Sequence, residues 1–123
     1  MAGPAVTALL SPNPASGTWA PTDNTTETTL ASATAASGTF MLLMNTSNQA
    51  DGDTIRIRVY TSGDGSNSRV EDDFTLGPNA PTYDVFRTAP FPTPDFFKVT
   101  ALLEAGSTTS RSFPWRVINL NGA

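Results

Sequence analysis

The stretch DTIRIRVYT, residues 53–61, constrains this chain more than any other. Ile55, Ile57 and Val59 occupy one parity, and Arg56, Arg58 and Tyr60 the other. Successive side chains of a strand point to opposite faces, so a strict period of two commits one face to a core and the other to water. Around it, GTFMLLMN sets Phe40, Leu42 and Met44 on one face and Met41 and Leu43 on the other. Both faces are apolar, which predicts a central strand covered on each side. The connection TSNQADGD is rich in turn formers, and residues 39–61 read as an antiparallel hairpin.

Further strands are predicted over RVEDDFTL (69–76, with Val70, Phe74 and Leu76 on one side and Asp72 among them), TYDVF (82–86) and DFFKVTALLEA (95–105). The last has helical spacing as an alternative, but its Phe, Val and Thr content favours a strand. The closing segment, TTSRSFPWRVINL, places Phe113, Trp115 and Val117 at core parity. Arg111 and Asn119 mark the ends of the buried stretch, and Arg116 and Ile118 face the other way. Pro114 cannot donate a ladder hydrogen bond, so this strand is expected at a sheet edge or at a bulge, where a neighbouring subunit could cover it.

No segment shows a convincing helix of ten or more residues, and no internal repeat is visible. The expected fold is all-β: a single antiparallel β-sandwich, jelly-roll-like with an immunoglobulin-like topology as the alternative, preceded by an extended N-terminal arm. Residues 38–123 form the sandwich domain. Residues 1–37 form the arm, because they carry only Asp23 and Glu27 as charges, and Pro4, Pro12, Pro14 and Pro21 exclude a long helix. A solvated tail is the alternative reading. Val6, Leu9, Leu10 and Trp19 favour an arm with one or two short strands that docks on something, since a tail has little use for them.

Composition removes several chemistries. There is no histidine, hence no Ser-His-Asp set and no imidazole zinc ligand, and no cysteine. With a formal charge of −4 and Lys98 the only lysine, no basic stripe is available for nucleic acid. No run approaches the ~20 apolar residues of a membrane helix. The start, MAGPAVTALL, lacks the basic region of a secretory signal, so synthesis in a cytoplasm followed by lysis suits the chain. No nucleotide-binding glycine motif is present, and no cofactor is expected. Glu71, Asp72 and Asp73 are adjacent and alternate between faces, so they cannot meet over one bond; they read as a solvated strand edge. DGD (51–53) and DGSN (64–67) supply turn chemistry, with a calcium ion shared by Asp51, Asp53 and Asp64 as a minor reading. Trp19, Tyr60, Phe113 and Trp115 would make a sugar-stacking platform if they shared a face, although core placement is the simpler account of Phe113 and Trp115.

GTFMLLMNTSNQADGDTIRIRVYT, followed by FFKVTALLEAGSTTSRSFPWRVINL, resembles small virion proteins encoded beside the major capsid protein in tailed bacteriophages. The likeness lies in a strand, a DGD loop, an IRVY strand and a closing R-x-F-P-W strand, and it covers roughly residues 38–120. It implies a capsid decoration, or cement, protein, not an enzyme. Such a protein is expected as a homotrimer on the virion surface at three-fold and quasi-three-fold positions, bound to the major capsid protein, clamping capsomers through terminal arms, after assembly in the host cytoplasm. Val6, Leu9, Leu10, Trp19, Arg111, Pro114 and Arg116 are the expected contacts with the capsid or with other subunits. A carbohydrate- or receptor-binding module of a phage tail or fibre is the alternative, resting on Trp19, Tyr60 and Trp115.

Overall fold

The computed structural model describes residues 16–33, 37–62, 67–81 and 83–120. Among them there is no helix, and the strands are β1 (Ser16–Trp19), β2 (Thr28–Ala33), β3 (Gly38–Asn45), β4 (Thr54–Thr61), β5 (Arg69–Leu76), β6 (Val85–Arg87), β7 (Phe91–Thr93), β8 (Phe97–Ala105) and β9 (Phe113–Asn119). They make two antiparallel sheets packed face to face. The first runs β1-β9-β3-β6, with β7 pairing the other half of β3 beside β6; the second runs β2-β8-β4-β5. With the short β7 set aside, each sheet joins a strand from the start of the chain to one from its end, and the path winds back and forth between sheets. That order is a jelly roll and decides between the two sandwich topologies.

The core is built by the predicted alternation. Ile55, Ile57 and Val59 of β4 are fully buried against Leu42 and Met44 of β3 and Val99, Ala101 and Leu103 of β8 within one cluster. β8 is a strand, and Phe97 at its start packs against Phe40 and Phe91 with ring centroids 4.7 and 5.4 Å away. Phe113, Trp115 and Val117 are buried, as their shared parity requires.

Several expectations are corrected. Residues 39–61 are not a hairpin: β3 pairs β6, β7 and β9, whereas β4 pairs β5 and β8. The connection crosses from one sheet to the other, and residues 46–53 carry it over the end of the sandwich. β3 is central, but Met41 and Leu43 on its second face are only half-buried, with no third layer over them among the described residues. Val70 is exposed and does not share the face of Phe74 and Leu76. The register slips so that Val59 opposes Asp72 while Tyr60 opposes Val70, leaving Glu71 as the extra residue of a bulge; one inserted residue turns Val70 to the outer face. β6 begins at Val85, three residues later than expected.

Residues 16–33, read from sequence as part of the arm, supply a strand to each sheet: β1 pairs β9, and β2 pairs β8. Trp19 is buried, with its ring 5.3 Å from Phe113.

Pro114 does not mark an edge. β9 lies between β1 and β3, with no register slip against either. Leu120 donates its N–H to the Thr39 carbonyl, and Leu42 turns its backbone groups away from β9 toward Thr88. Even-numbered residues of β9 therefore direct their backbone groups at β3. Pairing with β3 stops at Met44 opposite Trp115, one residue short of Pro114, whose missing N–H would have faced Asn45. Past that point only β1 continues beside β9. The proline ends one ladder without making the strand an edge.

Replacing Trp19 with Ala should destabilise the sandwich by about 3–5 kcal/mol, the range for emptying a buried aromatic site. Urea unfolding monitored by far-UV circular dichroism measures the loss, and an unchanged midpoint would show that β1 is dispensable to the core.

Candidate functional site

Three places concentrate polar or exposed chemistry, and they differ in whether their groups are already engaged.

The first is the end of the sandwich where residues 46–53 cross. Asp53 is buried, and its carboxylate accepts hydrogen bonds from Arg111 Nε and Nη2 and from the Ala50 amide. Gln49 donates its side-chain amide to the carbonyls of Asp53 and Leu76. Gly106, at a φ of +115°, lies so close that a Cβ there would fall 2.1 Å from the Asp53 carboxylate, so glycine is required both by conformation and by space. Burial pushes the Asp53 carboxyl up, but the Arg111 guanidinium and backbone amides outweigh it and hold the group below the usual aspartate value.

The second is the outer face of the second sheet. Arg56 bonds Asp73 and Glu104, each at 3.0 Å, while Arg58 bonds Glu27 at 3.0 Å and approaches Asp73 at 3.5 Å. Tyr60 and Thr100 both donate hydroxyl hydrogen bonds to Glu27, and the Lys98 ammonium sits 4.3 Å above the Tyr60 ring. Burial raises Glu27, yet the bonds from Thr100 and Tyr60 and the charge of Arg58 bring it below its ordinary value. Asp73 is lowered chiefly by its hydrogen bonds from Arg56. The titratable groups here with displaced pKa values are engaged with one another.

The third is the outer face of the first sheet, and it is built differently. The registers place Ser16, Arg116, Leu43 and Arg87 in one cross-strand row. The adjoining row on one side holds Thr18 and Pro114 together with Asn45 and Val85, and on the other Ile118 lies opposite Met41. Ser16, Thr18, Leu43, Val85, Pro114 and Arg116 line a shallow hollow of about 520 Å³. Val85 is 57% exposed. Arg87 and Arg116 stand two strand spacings apart, roughly 10 Å, with Leu43 between them. Neither forms an ion pair among the described residues. An apolar floor bracketed by two unengaged cations suits a partner surface that carries carboxylates.

Of the residues expected from sequence to make contacts, Pro114 and Arg116 lie on this face. Arg111 is turned inward to Asp53, and Trp19 is in the core. Val6, Leu9 and Leu10 lie outside the described residues. Sequence reading missed Leu43, Val85 and Arg87. Their signal was outward parity on strands of one sheet, which becomes visible only once β3, β6 and β9 are known to be neighbours. The aromatic platform does not form: Trp19, Phe113 and Trp115 face the core, whereas Tyr60 lies on the outside of the other sheet. Asp51 accepts a hydrogen bond from the Ala80 amide and Asp53 is paired with Arg111. Asp64, the third carboxylate of the calcium reading, lies outside the described residues. Glu71, Asp72 and Asp73 diverge: Glu71 meets Thr61, Asp73 meets the arginines, and Asp72 is half-buried at the sheet margin.

Comparison with protein-family models, with curated proteins and with solved structures finds no match to this chain.

Two outcomes are expected of the engaged groups. Asp53→Asn leaves Arg111 without its counter-charge and should cost about 3 kcal/mol, read as a lowered urea midpoint. Asp53, Glu27 and Asp73 are all depressed in the folded chain, so their stabilisation is complete above their unfolded values, near pH 4, and is lost as pH falls through the folded values. Thermal melts between pH 7 and pH 2 should show a flat region and then a fall. In Asp53→Asn the fall should be shallower.

Proposed function

We propose that this chain is a structural virion protein that decorates and stabilises a bacteriophage capsid, binding the major capsid protein between capsomers as a homotrimer on the virion surface. The observation that carries this reading is the asymmetry of the two outer faces. One is closed by a lattice of ion pairs; the other presents Leu43, Val85 and Pro114 with Arg87 and Arg116 unengaged. A surface of that kind suits adhesion to another protein. The engaged state of Asp53, Glu27, Asp73, Arg56, Arg58 and Arg111 favours a scaffold over an acid–base catalyst, because displaced pKa values here accompany ion pairs that hold strands together. The jelly roll is also used by viral capsid domains, a supporting analogy of fold and not of site. The resemblance of residues 38–120 to small phage virion proteins supports the same reading.

The protein is expected to bind purified, empty, expanded capsids of the phage that encodes it and to raise their disruption temperature. Co-sedimentation and differential scanning calorimetry measure both. Failure to bind such shells would overturn the proposal, and a saturable tryptophan-fluorescence response to one class of glycan would favour a receptor-binding role instead.

A further inference from the structure

A cleft opens on the side of the sandwich where both sheets end. β1 is the last strand of the first sheet and β2 of the second, each paired on one side only among the described strands. The cleft between them measures about 390 Å³, within the range of roughly 300–1,000 Å³ usual for small-molecule sites. Residues 20–27 join the two strands and close one end. Asn24 pins this connection by donating its side-chain amide to the Leu103 and Gly106 carbonyls. In β2 the register slips between Thr29 and Ala31, so Leu30 is an extra residue, and Leu30 and Ala31 are both buried. A bulge re-aims a side chain, and here it makes Leu30 part of the cleft lining.

The cleft holds hydrogen-bonding capacity that the fold leaves unused. Trp19 and Trp115 border it and are 4% and 7% exposed. A buried tryptophan ordinarily donates its N–H to a partner. Here neither indole N–H meets an acceptor among the described residues, and neither is sealed from solvent. Gly17 lies against the N–H edge of Trp115: a Cβ there would fall 2.9 Å from Cζ2 and 3.3 Å from Nε1. Glycine thus leaves that edge room. On the connection, Asp23 Oδ1 accepts the Thr25 and Thr26 amides, and Oδ2 accepts the Thr26 hydroxyl. The Thr26 hydroxyl, followed by the amides, holds the carboxyl below the usual aspartate value. Asp23 is therefore a fixed, ionised acceptor with lone pairs to spare. Thr22 and Thr28 add hydroxyls, and Pro21 and Leu30 supply apolar surface.

A ligand suited to this arrangement accepts from an indole N–H, donates to a carboxylate and lays C–H groups on Pro21 and Leu30. The charge of Asp23 disfavours anions, and N–H donors do not hold metal ions. The closed end disfavours a peptide strand running through. A neutral ring bearing hydroxyls, each both donor and acceptor, meets all three demands. We propose that the cleft between β1 and β2 binds a terminal saccharide unit, with Trp115 Nε1–H donating to a sugar oxygen and Asp23 accepting from a sugar hydroxyl. The indole faces stay in the core, so recognition is by the ring edge and not by stacking. The inference goes beyond the capsid role and does not rest on it.

The chain has two tryptophans, so nuclear magnetic resonance of the isotope-labelled full chain shows both indole N–H signals directly. Titration with glucose, galactose, mannose and N-acetylglucosamine is expected to shift the Trp115 signal saturably with at least one sugar, at about millimolar affinity. Glycerol at equal concentration should not. Asp23→Ala should weaken the response by about tenfold or more. Trp115→Phe identifies the signal and should weaken binding read at the Gly17 amide. Asp23 lies on the exposed connection, so its variant keeps the test open if Trp115→Phe does not fold; circular dichroism melts check both. No saturable shift with any of these sugars would overturn the proposal. So would shifts that glycerol reproduces, or a response unchanged in Asp23→Ala. Capsid co-sedimentation separates the two readings. A chain that binds shells without a sugar response overturns only the cleft. A sugar response in a chain that ignores shells overturns only the capsid role, and both together put a saccharide site on a capsid-bound chain.

Discussion

The buried pair between Asp53 and Arg111 is the constraint on which the rest of the arrangement depends. A jelly roll requires the chain to leave one sheet and enter the other, and the crossing between β3 and β4 exposes backbone groups that neither sheet can satisfy. Asp53 answers this by accepting the Ala50 amide, while Gln49 reaches the carbonyls of Asp53 and Leu76. Arg111, from the approach to β9, neutralises the charge that this introduces. Residues 58 positions apart thus share one buried centre. Gly77 and Gly106 adopt positive φ so that two other turns can close on it. A buried ion pair adds little net stability relative to apolar residues, but breaking one is costly. Its role here is to specify which loops meet.

The two outer faces show how the same strand grammar yields different surfaces. On the second sheet, Arg56 and Arg58 are flanked by strands bearing Asp73 and Glu104, with Glu27 entering from just before β2, so each cation finds carboxylates across the ladder. On the first sheet, Arg87 and Arg116 flank Leu43, and no carboxylate occupies the rows given by its registers. Whether an arginine is structural or available is therefore decided by its cross-strand neighbours and not by its own exposure.

Much of the core was legible in the sequence because it is written in alternation. Ile55, Ile57 and Val59 could occupy only one face, and Phe113, Trp115 and Val117 share a parity that survives into the structure. What could not be read depends on pairing between distant segments. β3 is apolar on both faces, a pattern compatible with a hairpin or with a crossing, and the turn residues that follow it serve either. Val70 was misplaced by a single inserted residue, which leaves no mark on local composition. β1 and β2 are short and rich in Ser, Thr and Ala, so they resembled arm; only Trp19 and Leu30 distinguish them. The candidate face was half visible through Pro114 and Arg116. Leu43 and Arg87 join it by a row of neighbours that sequence order conceals.

The pairing of β1 with β9 also sets a timetable for synthesis. β9 occupies the interior of the first sheet, yet it is the last of the described strands to be synthesised. Until it arrives, among the described strands β1 has no partner on that sheet and β3 has only the short β6 and β7. The second sheet likewise waits for β8 to join β2 to β4 and β5. Contacts of such long sequence separation are slow to form, so the emerging chain holds Phe40, Leu42 and Met44 incompletely covered until β9 has been made. Closure of the first sheet is thus governed by the interval between synthesis of β1 and insertion of β9.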